Sequence, residues 1–232
     1  GVVQVGELEM AAEVFVIRRG AQRGKEMKRG MMLVANGVEP LGMWAFSEVR
    51  GWAGLVGDEA IELADVGMQA HIKTTFGLQL QPNNLLNDIN LDDFDALAIP
   101  GGFESSGFYD DALSEPFLEV IRHFAAAKKV IASVCVSAIA LGEAGVLKGK
   151  KATTYHQVGG SRKHQLTQNG ALFIDQAVVI DDNLITSTGP GTAVEVALTL
   201  LEKLSSKDNA DNLRKIMRIP KPSKVWLQAP QV

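Results

Sequence analysis

The feature that most constrains this chain is its alternation of strand-length apolar runs with segments whose apolar residues recur every three or four positions. Such alternation is the signature of parallel strands joined by crossover helices. Met31-Met32-Leu33-Val34-Ala35 reads as the first strand and ends in Asn36-Gly37. Phe46, Val49, Ala53 and Val56 then repeat at helical steps, as a helix with one buried face requires. Leu97-Ala98-Ile99 is the next clear strand, stopped by Pro100-Gly101-Gly102. Ser114 starts a helix whose apolar stripe is Phe117, Val120, Ile121 and Phe124. A third unit joins Val130-Ile131-Ala132-Ser133-Val134 to a helix reaching about Glu143, with Gly145 as its stop. A fourth joins Asn183-Leu184-Ile185-Thr186-Ser187, through Gly189-Pro190-Gly191-Thr192, to a helix striped by Val194, Ala197, Leu198, Leu201 and Leu204. The stretches Ile61 to Leu80 and Lys151 to Asp182 read as additional strands with turns, including a hairpin at Thr75-Phe76-Gly77.

A length of 232 residues suits one domain with a large core. We expect that domain over residues 27–205, an N-terminal extension over 1–26 and a C-terminal tail over 206–232. Periodicity does not decide whether the extension is a strand, a short helix or a disordered leader. The tail is charged, then carries Pro220, Pro222 and Pro230, and suits a segment wrapped over the domain or over a second subunit. The net charge of −4 disfavours a nucleic-acid partner, which calls for a basic surface that displaces counterions. No apolar run approaches the ~20 residues that span a bilayer, so no membrane partner is expected. Val14-Phe15-Val16-Ile17 precedes the basic cluster Arg18, Arg19, Arg23, Lys25, Lys28 and Arg29, the reverse of a secretory signal, which implies a cytoplasmic location. A small molecule is the expected partner. One cysteine cannot form an internal disulfide, and with four scattered histidines it offers no zinc spacing.

Ligands of open parallel sheets collect at the carboxyl ends of strands, where helix N-termini also point. Gly101-Gly102, Cys135 and Gly189-Pro190-Gly191 all fall there. Cys135 lies in Ser133-Val134-Cys135-Val136-Ser137, with small residues two positions to either side. A tight strand-to-helix turn needs such neighbours, since larger side chains collide across it. A lone cysteine in an apolar run is otherwise a small buried hydrophobe; its position after a strand and before a helix favours an activated nucleophile. Thiols at helix N-termini titrate at roughly 3.5 to 7.5 instead of about 8.5, raising the thiolate fraction at neutral pH up to about thirtyfold. The amides of Gly102 and Val136 are suited to a developing oxyanion, with Gly101 beside them, although Gly101-Gly102 taken alone reads better as an ordinary turn. Glu39 stands just past the first strand, before Pro40. It is either a proton-shuttling carboxyl or a favourable charge at a helix start.

Taken together, Gly37-Val38-Glu39-Pro40, Ala98-Ile99-Pro100-Gly101-Gly102, Ala132-Ser133-Val134-Cys135, Lys151-Ala152-Thr153-Thr154 and Thr186-Ser187-Thr188-Gly189-Pro190-Gly191-Thr192 resemble the ThiJ/PfpI superfamily over roughly Lys28 to Leu204. This superfamily has a class I glutamine-amidotransferase-like fold, and the resemblance is to its branch of the Parkinson-disease-associated protein deglycase. It implies an α/β, flavodoxin-like three-layer sandwich with a mostly parallel sheet and a nucleophile elbow, usually as a homodimer. By the same resemblance Cys135 is the nucleophile or redox-sensitive thiol, Glu39 its protonated partner, and Gly102 and Val136 the oxyanion donors. The implied chemistry needs no cofactor or metal. It is glyoxalase III activity, turning methylglyoxal and water into lactate, or removal of early glycation adducts. The alternative is a redox-sensing stress protein whose thiol is oxidised to a sulfinic acid. Peptidase and glutaminase activity rank low, because Val136 stands where protease-like relatives carry a histidine; a hydrolase or hydratase on the same thiol ranks between. The branch histidine follows the Thr-Thr pair, whereas this chain reads Thr153-Thr154-Tyr155-His156. Either His156 is that group displaced by one residue, or Tyr155 has replaced it and His156 faces solvent.

Overall fold

Strands covered by helices on both sides need apolar side chains at consecutive positions rather than alternate ones. The computed structural model describes residues 26–228; the expected extension up to residue 25 and Pro230 lie outside the described residues. β1 (Arg29–Val34) leads into α1 (Pro40–Val56) and β2 (Glu62–Gly67). Three short strands follow, β3 (Ile72–Lys73), β4 (Gln79–Leu80) and β5 (Asn84–Leu85), then β6 (Ala96–Ile99), α2 (Phe108–Ala112) and α3 (Glu115–Ala126). β7 (Val130–Ser133) turns through Val134-Cys135-Val136 into α4 (Ser137–Glu143). Next come β8 (Lys151–Ala152), α5 (Arg162–Thr167), β9 (Leu172–Phe173), β10 (Val178–Asp181) and β11 (Leu184–Ser187). α6 (Ala193–Leu204), α7 (Lys207–Ile216) and α8 (Lys224–Leu227) complete the described chain.

The main sheet has the order β10-β11-β7-β6-β1-β2-β5. Every pairing in it is parallel except the β10–β11 hairpin. Strands β6, β7 and β11 are buried at every position, as cover on both faces demands. Helices α1, α6 and α7 pack together on one side and α2, α3, α4 and α5 form a continuous chain of contacts on the other, which makes three layers. This is the mixed α/β sandwich that the apolar periodicity implies. Phe117, Val120, Ile121 and Phe124 of α3 and Val196, Ala197, Leu200 and Leu201 of α6 fill the two interlayer spaces, each large side chain gaining roughly 1.5–3 kcal/mol by leaving water.

The boundaries follow local chemistry. α1 begins with Pro40 at its first position, where the missing N–H costs nothing. Ser114 is the N-cap of α3, but its hydroxyl donates to the Asp111 carbonyl (2.6 Å) rather than capping the helix. Gly145 takes a positive φ of 83° after α4, the left-handed stop that glycine permits. The β3–β4 hairpin forms where expected, with the Thr74 amide donating to the Leu78 carbonyl (3.0 Å).

One expectation needs correcting. The stretch Lys151 to Asp182 is not only strands and turns, since it contains α5. Residues past Ser205 form α7, which packs on α1 and α6 and buries Ala210 and Leu213. Asn209 of α7 is 1% exposed. Its Oδ1 accepts the amides of Asp58 (2.9 Å) and Glu59 (3.2 Å), and its Nδ2 donates to the Glu59 carbonyl (2.8 Å). This polar rivet fastens α7 to the turn between α1 and β2. Because Asn209→Ala removes the partner of two part-buried amides, we expect it to lower the unfolding free energy by about 1–2 kcal/mol; a denaturant midpoint equal to that of the unsubstituted protein would contradict the rivet.

Candidate active site

A residue placed between a strand end and a helix start within two positions must reverse its backbone sharply. Cys135 does so with φ +60°, a left-handed value that side chains with a Cβ rarely adopt. Val136 already has helical angles and α4 starts at Ser137. Ser137 and Ser133, read in the sequence as merely small, are fully buried and polar for a reason. The Ser137 hydroxyl accepts from the Val134 amide (2.9 Å) and lies within donating distance of the Ile99 (3.0 Å) and Val134 (2.7 Å) carbonyls. The Ser133 hydroxyl donates to the Ile185 carbonyl (3.2 Å), and the Ser187 hydroxyl donates to that of Ser133 (3.2 Å). Thr154, from the Thr-Thr pair, donates to the Cys135 carbonyl (3.2 Å). The Ser137–Val134 bonds close the turn on itself, and the others tie it to neighbouring elements, which together support the strain at Cys135.

Gly101 sits directly against this turn. A Cβ there would lie 2.6 Å from the Cys135 Cβ and 2.8 Å from the Val134 carbonyl oxygen, closer than atoms pack. Gly102 is equally constrained, with the Gly37 carbonyl and the Phe108 ring each 2.4 Å from such a Cβ. Glycine is therefore a packing requirement at both positions. The bridge between Val38 and Gly102 uses bonds through the flanking residues, Glu39 N to Gly101 O (2.8 Å) and Phe103 N to Gly37 O (3.0 Å). The Gly102 N–H is not one of its donors.

A cavity of about 550 Å³ opens here, lined by Glu39, Gly102, Phe103, Glu104, Ser105, Cys135, Val136, Tyr155, Arg162 and Pro190. Its size falls within the range of small-molecule sites. Cys135 is 4% exposed and Glu39 8%. Burial pushes the thiol up to about 12; the Val136 N–H bonded to the sulfur and the Arg162 charge oppose this, while the Glu39 charge adds to it. Burial therefore opposes the lowering expected of a thiol at a helix N-terminus. Burial also holds the Glu39 carboxyl above its ordinary 4.5. Glu39 Oε2 has no hydrogen-bond partner among the described residues. The Glu39 charge, when present, adds to the cost of ionising Cys135.

Glu39, Gly102, Cys135 and Val136 thus share one cavity, with Gly101 behind the thiol. His156 does not line it. The His156 Nδ1 faces the Thr154 carbonyl (3.0 Å), its Nε2 faces Asp175 (3.1 Å), and its ring stands edge-on to Phe173. It borders a neighbouring cavity of about 490 Å³, while Tyr155 lines both. Sequence reasoning passed over Arg162 and Glu104, which line the cavity, and Tyr109. The Arg162 guanidinium pairs with Glu104 (2.7 Å), donates to the Tyr109 hydroxyl (2.9 Å) and stacks on its ring. Among the described residues no three His, Cys, Asp or Glu side chains cluster as a metal site requires.

Residues 28–203 match the DJ-1/PfpI family. The chain belongs to that family. It is 31% identical over 190 residues to Protein dj-1beta of Drosophila melanogaster, covering 81% of this chain and 95% of the relative. The crystal structure of Drosophila DJ-1beta superposes with a TM-score of 0.74 at 29% identity, covering 84% of this chain and all of that one. Glutathione-independent glyoxalase DJ-1 of Schizosaccharomyces pombe is 34% identical over 157 residues, covering 64% of this chain and 78% of the relative. Isonitrile hydratase of Pseudomonas putida is 34% identical over 142 residues, covering 60% of this chain. The chain spans less than two thirds of several relatives, 57% of isonitrile hydratase among them. The family therefore holds more than one activity on the same fold. No helix among the described residues is long and apolar enough to cross a membrane.

The raised carboxyl of Glu39 has a consequence for stability. A carboxyl whose folded value exceeds its unfolded one contributes stability fully below about 4.5, and that contribution is lost as pH rises through the folded value. Glu39→Gln cannot ionise and escapes the loss. The Tm of Glu39→Gln minus that of the unsubstituted protein is expected to increase between about pH 4 and about pH 8; a difference constant across that range would contradict the burial of an ionising carboxyl.

Proposed function

We propose that this chain is a cofactor-independent enzyme acting on small reactive carbonyls, of the glyoxalase III or deglycase kind, with Cys135 as its nucleophile. The observation that carries the reading is the pairing, in one cavity, of a thiol at a strained turn with a buried carboxyl whose Oε2 has no hydrogen-bond partner among the described residues. The glyoxalase named among the relatives supports it. The raised thiol decides how the chemistry starts: a standing thiolate is scarce, so the proton leaves during attack. Glu39 as carboxylate takes the thiol proton while the sulfur forms its bond to the aldehyde carbon. The carbonyl electron pair becomes an alkoxide held by the Gly102 and Val136 amides and is protonated by Glu39. Glu39 then removes the proton from that carbon and returns one to the adjacent carbon, while the hydroxyl proton passes to the neighbouring carbonyl oxygen, leaving a 2-hydroxyacyl thioester. Water hydrolyses the thioester, which releases lactate and restores the thiol. No external oxidant or reductant enters, because one carbon is oxidised as its neighbour is reduced. His156, outside this cavity, is assigned no step, and Tyr155 forms the wall there.

The homodimer implied by the resemblance finds support in Leu41, Trp44, Trp52 and Leu55, large apolar side chains of α1 that are 38–52% exposed. We expect light scattering to give a dimer that Trp44→Glu weakens; a monomer at all concentrations before substitution would contradict it.

Incubation with methylglyoxal, without glutathione or metal, is expected to yield many equivalents of lactate. Cys135→Ser should abolish turnover, and Glu39→Gln should lower kcat about 10²–10⁴-fold. Absence of lactate from the unsubstituted protein, alongside stoichiometric oxygen addition to Cys135 under mild peroxide, would replace the enzyme by a redox sensor.

A further inference from the structure

Among the described residues, Arg162 is the one cationic side chain that lines the Cys135 cavity. It projects from α5, a helix of six residues, and is held in place on several sides. Its terminal nitrogens reach Glu104 Oε2 (2.7 Å), the Tyr109 hydroxyl (2.9 Å) and Gln165 Oε1 (3.1 Å), and the Tyr109 ring lies 5.0 Å beneath it. The Tyr109 hydroxyl donates in turn to Gln165 (2.9 Å), so the neutral side of this clamp is closed. The ionic side is not equivalent. The Arg162 side chain is 23% exposed, whereas that of Glu104 is 52% exposed. A guanidinium fixed on its inner side, with its counter-ion at the solvent edge, is a carboxylate receptor whose occupant can be exchanged. A planar fork of donors matches a carboxylate in two-point contact, and a solvent-exposed partner such as Glu104 adds little to hold the pair together. The Arg162 charge also reaches the sulfur, whose ionisation it favours.

We propose that Arg162 is the specificity-determining residue of the cavity and selects carbonyl compounds that carry a carboxylate close to the reacting carbon, the substrate carboxylate displacing Glu104. The substrate class, aldehydes and 2-oxo aldehydes bearing an acid group, rests on the carbonyl reading above, but the charge selection can be tested without turnover. Cys135 is the chain's only cysteine. It can therefore be alkylated by iodoacetate or by iodoacetamide, which differ in charge. In either case the thiolate forms the new S–C bond and iodide leaves with the bonding pair. Both reagents attack the same thiolate, so its abundance cancels in the ratio of their rates.

At low ionic strength, mass spectrometry of the full chain is expected to show that Arg162→Gln lowers the iodoacetate-to-iodoacetamide ratio several-fold. Arg162→Lys should retain most of it, and Glu104→Gln should raise it by freeing the guanidinium. A ratio unmoved in Arg162→Gln would overturn the proposal; should that variant fail to fold, an unmoved ratio in Glu104→Gln would do the same. Loss of charge selection leaves the carbonyl reading standing. Cys135 inert to both reagents would overturn both together, and absence of lactate with the ratio changes intact would overturn the carbonyl reading alone.

Discussion

The site depends on one steric fit, that of the Gly101 backbone against the Cys135 Cβ at the ends of two adjacent parallel strands. With β6 and β7 in register from Ala96↔Val130 to Ile99↔Ser133, the residues that follow both strands must pass each other closely. Any Cβ at position 101 would fall inside the radius of the Cys135 Cβ. The absence of one lets Cys135 take its positive φ, a conformation costing of order 1–3 kcal/mol that the surroundings must over-determine. They do so through the buried hydroxyls of Ser133, Ser137, Thr154 and Ser187, which connect the turn to β6, β11 and the segment after β8. The remainder of the fold positions these anchors, and the cavity follows from them.

Electrostatics then divides the cavity in two. At the inner end lie two acids, Glu39 and Cys135, whose charged forms are both disfavoured by burial. At the outer end Arg162 and Glu104 form an ion pair. At the sulfur, the Val136 N–H and the guanidinium favour charge and Glu39 opposes it. Under the proposed chemistry, such a balance keeps the thiol protonated until a reacting carbonyl provides somewhere for the charge to go. This differs physically from a thiolate held ready by a helix dipole.

The parallel sheet was legible in the sequence because fully buried strands leave consecutive apolar residues, as at Met31-Met32-Leu33-Val34 and Val130-Ile131-Ala132. The turn at Cys135 was legible because close backbone approach admits only small neighbours, and Ser133 and Ser137 are small. Their second role, as hydroxyl anchors, left no mark in the residue pattern. Glu39 could be located from the strand end and Pro40. The sign of the thiol's displacement could not, since it depends on how deeply α4 and its neighbours bury the sulfur. Arg162 escaped notice because α5 is six residues long with only Leu166 buried, too short to show a period. The choice between Tyr155 and His156 turns on which way the chain leaves Thr154. Here Tyr155 faces the thiol cavity, and His156 turns to Asp175 and Phe173.

The DJ-1/PfpI family thus supplies the scaffold, and the side chains around the thiol set what this chain does with it. The central claim is that a strained cysteine backbone, tolerated only beside a glycine, presents the sulfur to the cavity. A crystal structure at atomic resolution tests this most directly. We expect Cys135 at a φ near +60°, with the Val136 N–H on its sulfur and the Ser137 hydroxyl between β6 and β7. Cys135 in an ordinary helical or extended conformation, with its sulfur turned into the core, would contradict it.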